Sequence, residues 1–163
     1  MTYRIVKFRR RNEGRTDYHA RLGMIKSGIP RVIVRKTNKY IILQLVESKE
    51  AQDFVLCTAN SRELIKYGWP ESAAGSLKSV PAAYLGGYLL GTKIKKLKFE
   101  KAIADTGLAR STKGSRIYAA IKGVIDSGIN MPCSEEIVPL EDRLIGKHMK
   151  KSINTEEIKK NIK

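Results

Sequence analysis

The pattern of apolar and polar positions predicts three strands in the first half of the chain. Residues 31–35 and 40–46 are runs rich in β-branched side chains, which favour an extended backbone. The turn between them contains Asn38, a residue type that tolerates the left-handed conformation. A third strand is predicted over 53–58. Three consecutive strands joined by short connections predict an antiparallel meander.

A short helix is predicted before the meander, over residues 17–27. Tyr18, Leu22 and Ile25 recur at the spacing of one helical face, so this face is expected to be apolar. Thr16 precedes the helix and is expected to be its N-cap residue, because a threonine hydroxyl can accept a hydrogen bond from a free backbone N–H group.

The second half of the chain predicts mainly helices. A capping box predicts a short helix over 60–68, and the segment 81–98 is apolar nearly all round, which indicates a long buried helix. A short strand is predicted over 101–105. The clearest amphipathic pattern of the chain predicts a helix over 115–127. A further capping pattern predicts a short basic helix over 154–163.

The order of these elements predicts a single α/β domain with a mixed sheet. A three-strand antiparallel meander followed by helix–strand–helix is the arrangement of the ribonuclease-H-like motif. We expect residues 1–15 to form a basic arm, 16–149 the globular domain and 150–163 a basic C-terminal tail. The arm has no apolar period that a core could use, so it cannot bury enough surface to fold alone.

The charge of the chain predicts a polyanionic partner. The 163 residues include 32 Lys or Arg and 16 Asp or Glu, which gives a formal net charge of +16. A polyanion would offset the self-repulsion of such a protein and release condensed counterions. Nucleic acid is therefore the first candidate. An anionic membrane is a weaker candidate, because no apolar run reaches about 18 residues.

The N-terminus, the two cysteines and the two histidines give expectations about the compartment of the protein and about metal binding. The N-terminus lacks the apolar segment of a secretory signal, so we expect a cytoplasmic protein. Cys57 and Cys133 stand in mostly apolar surroundings and are expected to be reduced core residues. His19 and His148 lie far from each other and from both cysteines in sequence, so no zinc-ligand spacing is present. We therefore expect neither a metal nor a cofactor.

The strongest functional signal lies in the first 26 residues. Eight basic side chains oppose two acidic ones there: Arg4, Lys7, Arg9, Arg10, Arg11, Arg15, Arg21 and Lys26. Guanidinium groups bind phosphate bidentately, and the rings of Tyr3, Phe8 and Tyr18 can stack on bases. This combination favours RNA over a small ligand. A solvated charged end or a nuclear address is the alternative interpretation.

A second candidate phosphate site precedes the helix predicted over 115–127. Residues 112–116 read Thr-Lys-Gly-Ser-Arg. The free backbone N–H groups of a helix N-terminus can bind phosphate, here together with Lys113 and Arg116. An ordinary cap with two exposed basic side chains is the alternative, because every helix offers such N–H groups.

Three motifs suggest enzymes but do not meet the requirements of the chemistry. Residues 86–93 nearly spell a P-loop, yet the glycines lie within a predicted helix, where small residues serve close packing. The Asp-Thr-Gly at 105–107 occurs once, whereas an aspartic protease needs two such carboxylates. A magnesium-dependent, ribonuclease-H-like nuclease needs a carboxylate cluster, and strand 31–35 carries no acid. That nuclease and a non-specific nucleic-acid packaging protein stay open as alternative functions.

Two further features each have a structural and a functional interpretation. Trp69 could stack on a base, but tryptophan is usually mostly buried, so packing is favoured. The acidic segment 134–142 is expected to form a solvated face. It could also meet a basic neighbouring protein, because opposite charges complement each other in a crowded assembly.

Seven pieces of the sequence together resemble one known family. They are Arg9-Arg10-Arg11-x-x-Gly14-Arg15-Thr16-Asp17-Tyr18-x-Ala20-Arg21-Leu22, Lys26-Ser27-Gly28, Pro30-Arg31-x-x-Val34-Arg35-Lys36, Leu64-x-x-Tyr67-Gly68-Trp69, Pro81-Ala82-Ala83-Tyr84-Leu85, Thr112-Lys113-Gly114-Ser115-Arg116 and Pro132-x-Ser134-Glu135-Glu136. They stand in the family's order and cover most of residues 9–149. The chain is similar to the archaeal and eukaryotic type of large-subunit ribosomal protein eighteen, the family that binds 5S ribosomal RNA.

The resemblance implies a mixed five-stranded sheet and no catalysis. It implies a structural constituent of the large ribosomal subunit that binds 5S rRNA and helps attach it to the large-subunit rRNA in the central protuberance. The neighbouring ribosomal proteins would include the other 5S-binding protein, which is ribosomal protein five of the bacterial scheme.

The resemblance and the charge pattern together give the candidate RNA-binding residues. The family contacts carry over to Arg9, Arg10, Arg11, Arg15, Tyr18 and Arg21, and less directly to Lys36, Lys39, Lys113 and Arg116. The nearby Arg4, Lys7, His19 and Arg35 complete the set. The turn over 107–112 departs from the family pattern, because Ala109 and Ser111 stand where a histidine and a proline are usual.

Overall fold

A mixed four-stranded sheet organises the fold in the computed structural model, which describes residues 6–50, 52–149 and 153–162. The strands are β1 (Arg31–Lys36), β2 (Ile41–Lys49), β3 (Gln52–Asn60) and β4 (Ile103–Asp105). Their order across the sheet is β3-β2-β1-β4; β1, β2 and β3 are antiparallel neighbours, and β4 lies parallel to β1. The predicted α/β class and the antiparallel meander are confirmed.

Six α-helices lie within the described ranges: α1 (Arg9–Asn12), α2 (Tyr18–Lys26), α3 (Val80–Lys96), α4 (Arg116–Asp126), α5 (Glu141–Ile145) and α6 (Thr155–Ile162). Shorter 3₁₀ helices span Ser61–Tyr67, Glu71–Ser76 and Glu135–Ile137. In the part of the chain that is described, no helix combines the length and apolarity needed to cross a membrane.

The core lies between one face of the sheet and the helices α3 and α4. Side chains alternate along β1, so Val32 and Val34 are buried opposite Leu45 and Leu43 of β2. α3 contacts β2 and β3, and it packs most extensively against α4. Arg31 and Arg35 of β1 therefore lie on the opposite face of the sheet.

Glycines bring the backbones of α3 and α4 into direct contact. A Cβ atom on Gly87 would lie 2.0 Å from the carbonyl oxygen of Ala120, and one on Gly123 would lie 2.1 Å from that of Tyr84. A Cβ atom on Gly91 would lie 1.8 Å from the hydroxyl of Ser127. The expectation that the glycines of 86–93 serve helix packing is confirmed.

Several predicted helix termini are also confirmed. The Asn60 side chain accepts a hydrogen bond from the Arg62 N–H at 3.0 Å, and Glu63 accepts one from the Asn60 N–H at 3.0 Å, so the capping box is present. The turns that follow are 3₁₀ rather than α. Ser115 is the N-cap of α4, within one residue of its predicted start.

The N-cap of α2 is Asp17, so the prediction of Thr16 is wrong. The Asp17 carboxylate accepts hydrogen bonds from the backbone N–H groups of His19 at 2.9 Å and Ala20 at 3.1 Å. A carboxylate is favoured there because it also complements the helix dipole. The predicted apolar face of α2 is not buried, and Leu22 is 52% exposed.

The fifth strand that the resemblance implied is reduced to one bridge in the described structure. Lys101 and Asn130 form an isolated parallel bridge, in which the Asn130 N–H donates to the Glu100 carbonyl at 2.8 Å. The next donor in such a ladder would be residue 132. Pro132 has no backbone N–H group, so the pairing ends.

Residues 153–162 differ from the basic extension expected for 150–163. Ile153, Ile158 and Ile162 are buried in the core, because α6 lays its apolar face on α3. The Lys159 ammonium donates to the Tyr84 hydroxyl at 2.8 Å and lies 4.9 Å from the centroid of the Tyr88 ring. These contacts make α6 part of the globular domain.

Trp69 and the cysteines have structural positions. Trp69 is only 2% exposed and donates from its ring N–H to the Ala73 carbonyl at 3.2 Å, so the packing interpretation is confirmed. Cys57 and Cys133 are free, as expected, and both pack against the core while staying partly accessible. Partial burial raises the pKa of both thiols above the usual value.

Candidate nucleic-acid interface

A cleft of about 790 Å³ opens between the N-terminal segment, the end of β1, the turn after β4 and the start of α4. Its lining contains seven basic side chains and no acidic one: Arg10, Arg15, Arg35, Lys36, Arg110, Arg116 and Arg143. We call this the basic cleft. Such a concentration of positive charge, in a lining without an acidic residue, favours a polyanion over a neutral ligand.

Arg35 is fixed within the basic cleft by three hydrogen bonds. Its guanidinium donates to the carbonyls of Val34 at 3.0 Å and Asp105 at 2.9 Å, and to the Asp105 carboxylate at 3.1 Å. A Cβ atom on Gly107 would lie 3.0 Å from Cζ of Arg35, so the glycine leaves room for the guanidinium. The side chain of Arg35 stays 44% exposed, which makes it an accessible cation with a fixed position.

Asp105 holds this wall of the cleft together. Its Oδ2 accepts a hydrogen bond from Arg31 at 3.0 Å, and its Oδ1 accepts one from the Gly107 N–H at 2.9 Å. The residue is 6% exposed at the end of β4. The Asp-Thr-Gly motif is thus a strand end and a turn, as the sequence indicated.

An alternating chain of charges continues from Asp105 across the sheet to α2. The Arg31 guanidinium is buried and also donates to the Asp53 carboxylate at 2.7 Å. Asp53 in turn accepts from Arg21 at 2.7 Å. The ion chain therefore runs Arg21, Asp53, Arg31, Asp105, Arg35. It links α2 to the basic cleft.

The contacts of Asp53 lower the pKa of its carboxyl group. Partial burial opposes ionisation of the carboxyl group. The hydrogen bond from the Ser48 hydroxyl, at 2.6 Å, and the charges of Arg31 and Arg21 outweigh this effect. The pKa of Asp53 is consequently held below its usual value, so the carboxylate stays ionised at neutral pH.

The start of α4 forms the opposite wall of the basic cleft. The Ser115 side chain makes no capping hydrogen bond, and its hydroxyl has no hydrogen-bond partner among the described residues although the atom is buried. Arg116 donates to the Lys78 carbonyl at 3.1 Å. Both residues line the cleft, whereas Lys113 is exposed outside it. Part of the predicted phosphate cradle therefore lies in the basic cleft.

The N-terminal segment reaches the cleft through two of its arginines. Arg10 donates to the Thr16 hydroxyl at 2.8 Å, and Arg15 lies 3.2 Å from the Glu13 carboxylate. The Phe8 ring packs on the Tyr18 ring with centroids 5.0 Å apart. Arg9 also pairs with Glu13, at 3.7 Å. In the part that the structure describes, residues 6–15 are exposed and make these local contacts.

The predicted residues thus fall into three groups. The structure brings together Arg10, Arg15, Arg35, Lys36 and Arg116 in the basic cleft. A second group is exposed outside the cleft: Lys7, Arg9, Arg11, His19, Lys39 and Lys113. The third group also lies outside the cleft and makes the contacts given above, Arg21 with Asp53 and Tyr18 with Phe8. Arg4 lies outside the described residues.

Sequence reasoning missed the residues that complete the site. Arg110 and Arg143 stand outside any basic run, and Arg31 carries no functional signal apart from the motif to which it belongs. One signal could have found the ion chain. Arg31 and Arg35 interrupt a β-branched strand at a spacing that places both on one face, and a buried arginine requires a carboxylate partner.

The carboxylates of the described residues do not support a metal site. Within these residues, no group of three or more His, Cys, Asp or Glu side chains is arranged to hold a metal ion. Asp53 and Asp105 are each occupied by two arginines. The geometry therefore gives no support to the magnesium-dependent nuclease.

Comparison with known proteins identifies the family. The family model described as ribosomal large subunit proteins 60S L5 and 50S L18 matches residues 2–102 and 95–134. The large ribosomal subunit protein uL18 of Korarchaeum cryptofilum is 54% identical over 144 residues, which cover 88% of this chain and 72% of the relative. The uL18 protein of Methanoregula boonei is 48% identical over 145 residues, covering 89% and 81%. This chain belongs to the uL18 family of large ribosomal subunit proteins.

Proposed function

We propose that this protein binds 5S rRNA through the basic cleft and the N-terminal arm. Its family makes it a non-enzymatic structural protein of the large ribosomal subunit. The observation that carries the RNA proposal is the lining of the cleft, with seven Lys or Arg and no acid. The exposed basic side chains of the arm extend this surface.

The mechanism is recognition of RNA shape by fixed cations. The deep major groove of an A-form helix is too narrow for side chains to read its bases. Phosphates are accessible, and a guanidinium such as that of Arg35 can bind a phosphate bidentately. Because Arg35 is already held by Asp105 and Val34, little conformational entropy is lost when RNA binds.

The same proposal includes attachment of 5S rRNA to the rest of the subunit. A net charge of +16 exceeds what one cleft requires, so further basic side chains are available for the large-subunit rRNA. Lys39 and Lys113 are exposed outside the cleft and are assigned to this second contact. Neighbouring ribosomal proteins, including the other 5S-binding protein, would complete the central protuberance.

Binding of purified protein to 5S rRNA over a range of KCl concentrations tests the proposal. With about six phosphates neutralised, the logarithm of the affinity should fall against the logarithm of salt with a slope of roughly −4 to −5. A tRNA and a DNA duplex of equal length serve as competitors. A flat salt response would contradict RNA binding, and equal affinity for duplex DNA would favour the packaging function.

A further inference from the structure

A second cleft, of about 320 Å³, lies on the other side of α5. It is bounded by α3, α4, α5 and α6, and we call it the α5–α6 cleft. Tyr84, Leu144 and Ile145 give it an apolar lining. Its polar lining includes the three acids Asp126, Glu141 and Glu156. Neither RNA binding nor the family resemblance assigns a role to it.

The floor of the α5–α6 cleft is held in place by internal contacts. The Tyr84 hydroxyl donates to the Asp126 carboxylate at 2.8 Å and accepts from Lys159 at 2.8 Å. Lys122 lies 3.2 Å from the same carboxylate of Asp126. The cleft is therefore preformed, and its two lysines are already engaged.

Two acids of the cleft keep their charge uncompensated. Within the part of the chain that the structure describes, Glu141 and Glu156 form no ion pair. Glu141 also belongs to the segment 123–142, which contains five acids and no Lys or Arg. In a protein of net charge +16, such a segment is an unfavourable surface for RNA and a favourable one for a cation.

Apolar side chains are exposed on α5, which lines the cleft, and at the residue directly before it. Leu140, which precedes α5, is 77% exposed, and Ile145 is 41% exposed. Exposed apolar groups beside a polar rim are typical of a surface that another protein covers. The apolar pair and the free acids thus favour one occupant, which must carry positive charge and apolar side chains together.

We propose that the α5–α6 cleft binds a Lys- or Arg-containing segment of a neighbouring protein in the large ribosomal subunit. The cation of this segment pairs with Glu141 and Glu156, and its apolar side chains pack on Leu140 and Ile145. Rim charges of this kind speed encounter and exclude wrong partners, while the apolar contact holds the segment.

Photo-crosslinking in assembled large subunits tests this proposal. Leu140 is replaced by benzoylphenylalanine, and Phe54, which is 49% exposed on β3, receives the same replacement as a matched control. After irradiation, the Leu140 product should be sensitive to protease and resistant to ribonuclease. Mass spectrometry should find a crosslinked peptide of another protein that contains Lys or Arg. The double variant Glu141→Gln, Glu156→Gln should lower its yield about tenfold or more.

Several outcomes would overturn the proposal. They are a crosslink to rRNA, a crosslink to residues 150–152 of the same chain, a yield no higher than that of the Phe54 control, and a yield unchanged by the double variant. If the double variant does not assemble, a synthetic copy of the crosslinked peptide is titrated against the purified chains instead. Binding of 5S rRNA should be equal in both chains, which separates this test from that of the proposed function.

Discussion

The basic cleft and the α5–α6 cleft share one wall and differ in almost every other respect. α5 separates them: Arg143 lines the first, while Glu141, Leu144 and Ile145 line the second. The first is held by the ion chain through the buried Arg31, and the second by hydrogen bonds of the Tyr84 hydroxyl with Asp126 and Lys159. A helix of five residues thus divides a cleft lined by basic and no acidic residues from a cleft that contains three acids.

The contrast shows that total charge describes such a protein poorly. A net charge of +16 predicts a polyanionic partner, and the basic cleft collects seven of the basic side chains in one place. The net charge does not reveal that the segment 123–142 contains no Lys or Arg. Because interactions between exposed charges fade within about 10 Å at moderate salt, each cleft presents mainly its own local charge to a partner.

The largest expected effect comes from the buried part of the ion chain. Asp105→Ala would leave Arg31, which is 2% exposed, without one of its two carboxylates. Breaking a buried ion pair completely costs about 3–5 kcal/mol. Because Asp53 still pairs with Arg31, urea unfolding should show a loss that approaches but does not exceed this range. Asp142→Ala, in α5, is the matched control. Its carboxylate pairs with Lys147 at the surface, and its removal should leave the urea midpoint unchanged.

A loss of stability below about 1 kcal/mol in Asp105→Ala would show that the ion chain does not organise the basic cleft. The two clefts would then differ in the charge of their lining residues but not in the kind of contact that holds them in place.

A smaller effect, on the affinity for RNA, is expected when single charges of α5, the wall shared by the two clefts, are neutralised. Arg143→Gln should weaken binding of 5S rRNA a few-fold and reduce the steepness of the salt dependence by about one unit, because one phosphate contact is lost. Glu141→Gln, two residues away on the same helix, should leave both quantities unchanged. Filter binding at several salt concentrations measures them. Equal effects of the two substitutions would mean that α5 does not separate the partners.

The smallest effect concerns the response of the ion chain to pH. The folded-state pKa of Asp53 lies below its unfolded value, so its carboxylate stabilises the protein above the unfolded pKa. That contribution is lost as the pH falls through the folded pKa. Asp53→Asn should therefore be less stable than the unchanged protein near neutral pH, and the two should converge in acid. Urea titrations at a series of pH values test this, and a constant difference would contradict the assignment.

The strands and the long helices could be predicted because each follows from a local pattern. A run of β-branched residues marks β1, and an apolar period of 3.6 residues marks α4, without knowledge of their neighbours. The ion chain could not be predicted in this way. Arg31 meets Asp53 and Asp105 across 22 and 74 residues of sequence, and no local pattern encodes such separations.

In α6, the many charged residues obscure the spacing of the isoleucines that pack on the core. Ile158 and Ile162 stand four residues apart, which is the spacing of one helical face, but the surrounding lysines favoured the interpretation as a basic tail. The structure buries both isoleucines and uses Lys159 to contact the ring of Tyr88. The aliphatic stem of a lysine can cover apolar surface, so basic residues do not exclude a docked helix.

The contact between α3 and α4 has a consequence for the whole particle. At Gly87 and Gly123 the two backbones meet with no side chain between them, so neither helix can slide or be re-spaced by repacking. Tyr84 near the start of α3 lines one cleft, and Ser115 at the start of α4 lines the other. The helix pair therefore acts as a spacer that sets the separation of the two clefts, and on our proposals this separation is the distance between the RNA and the protein neighbour.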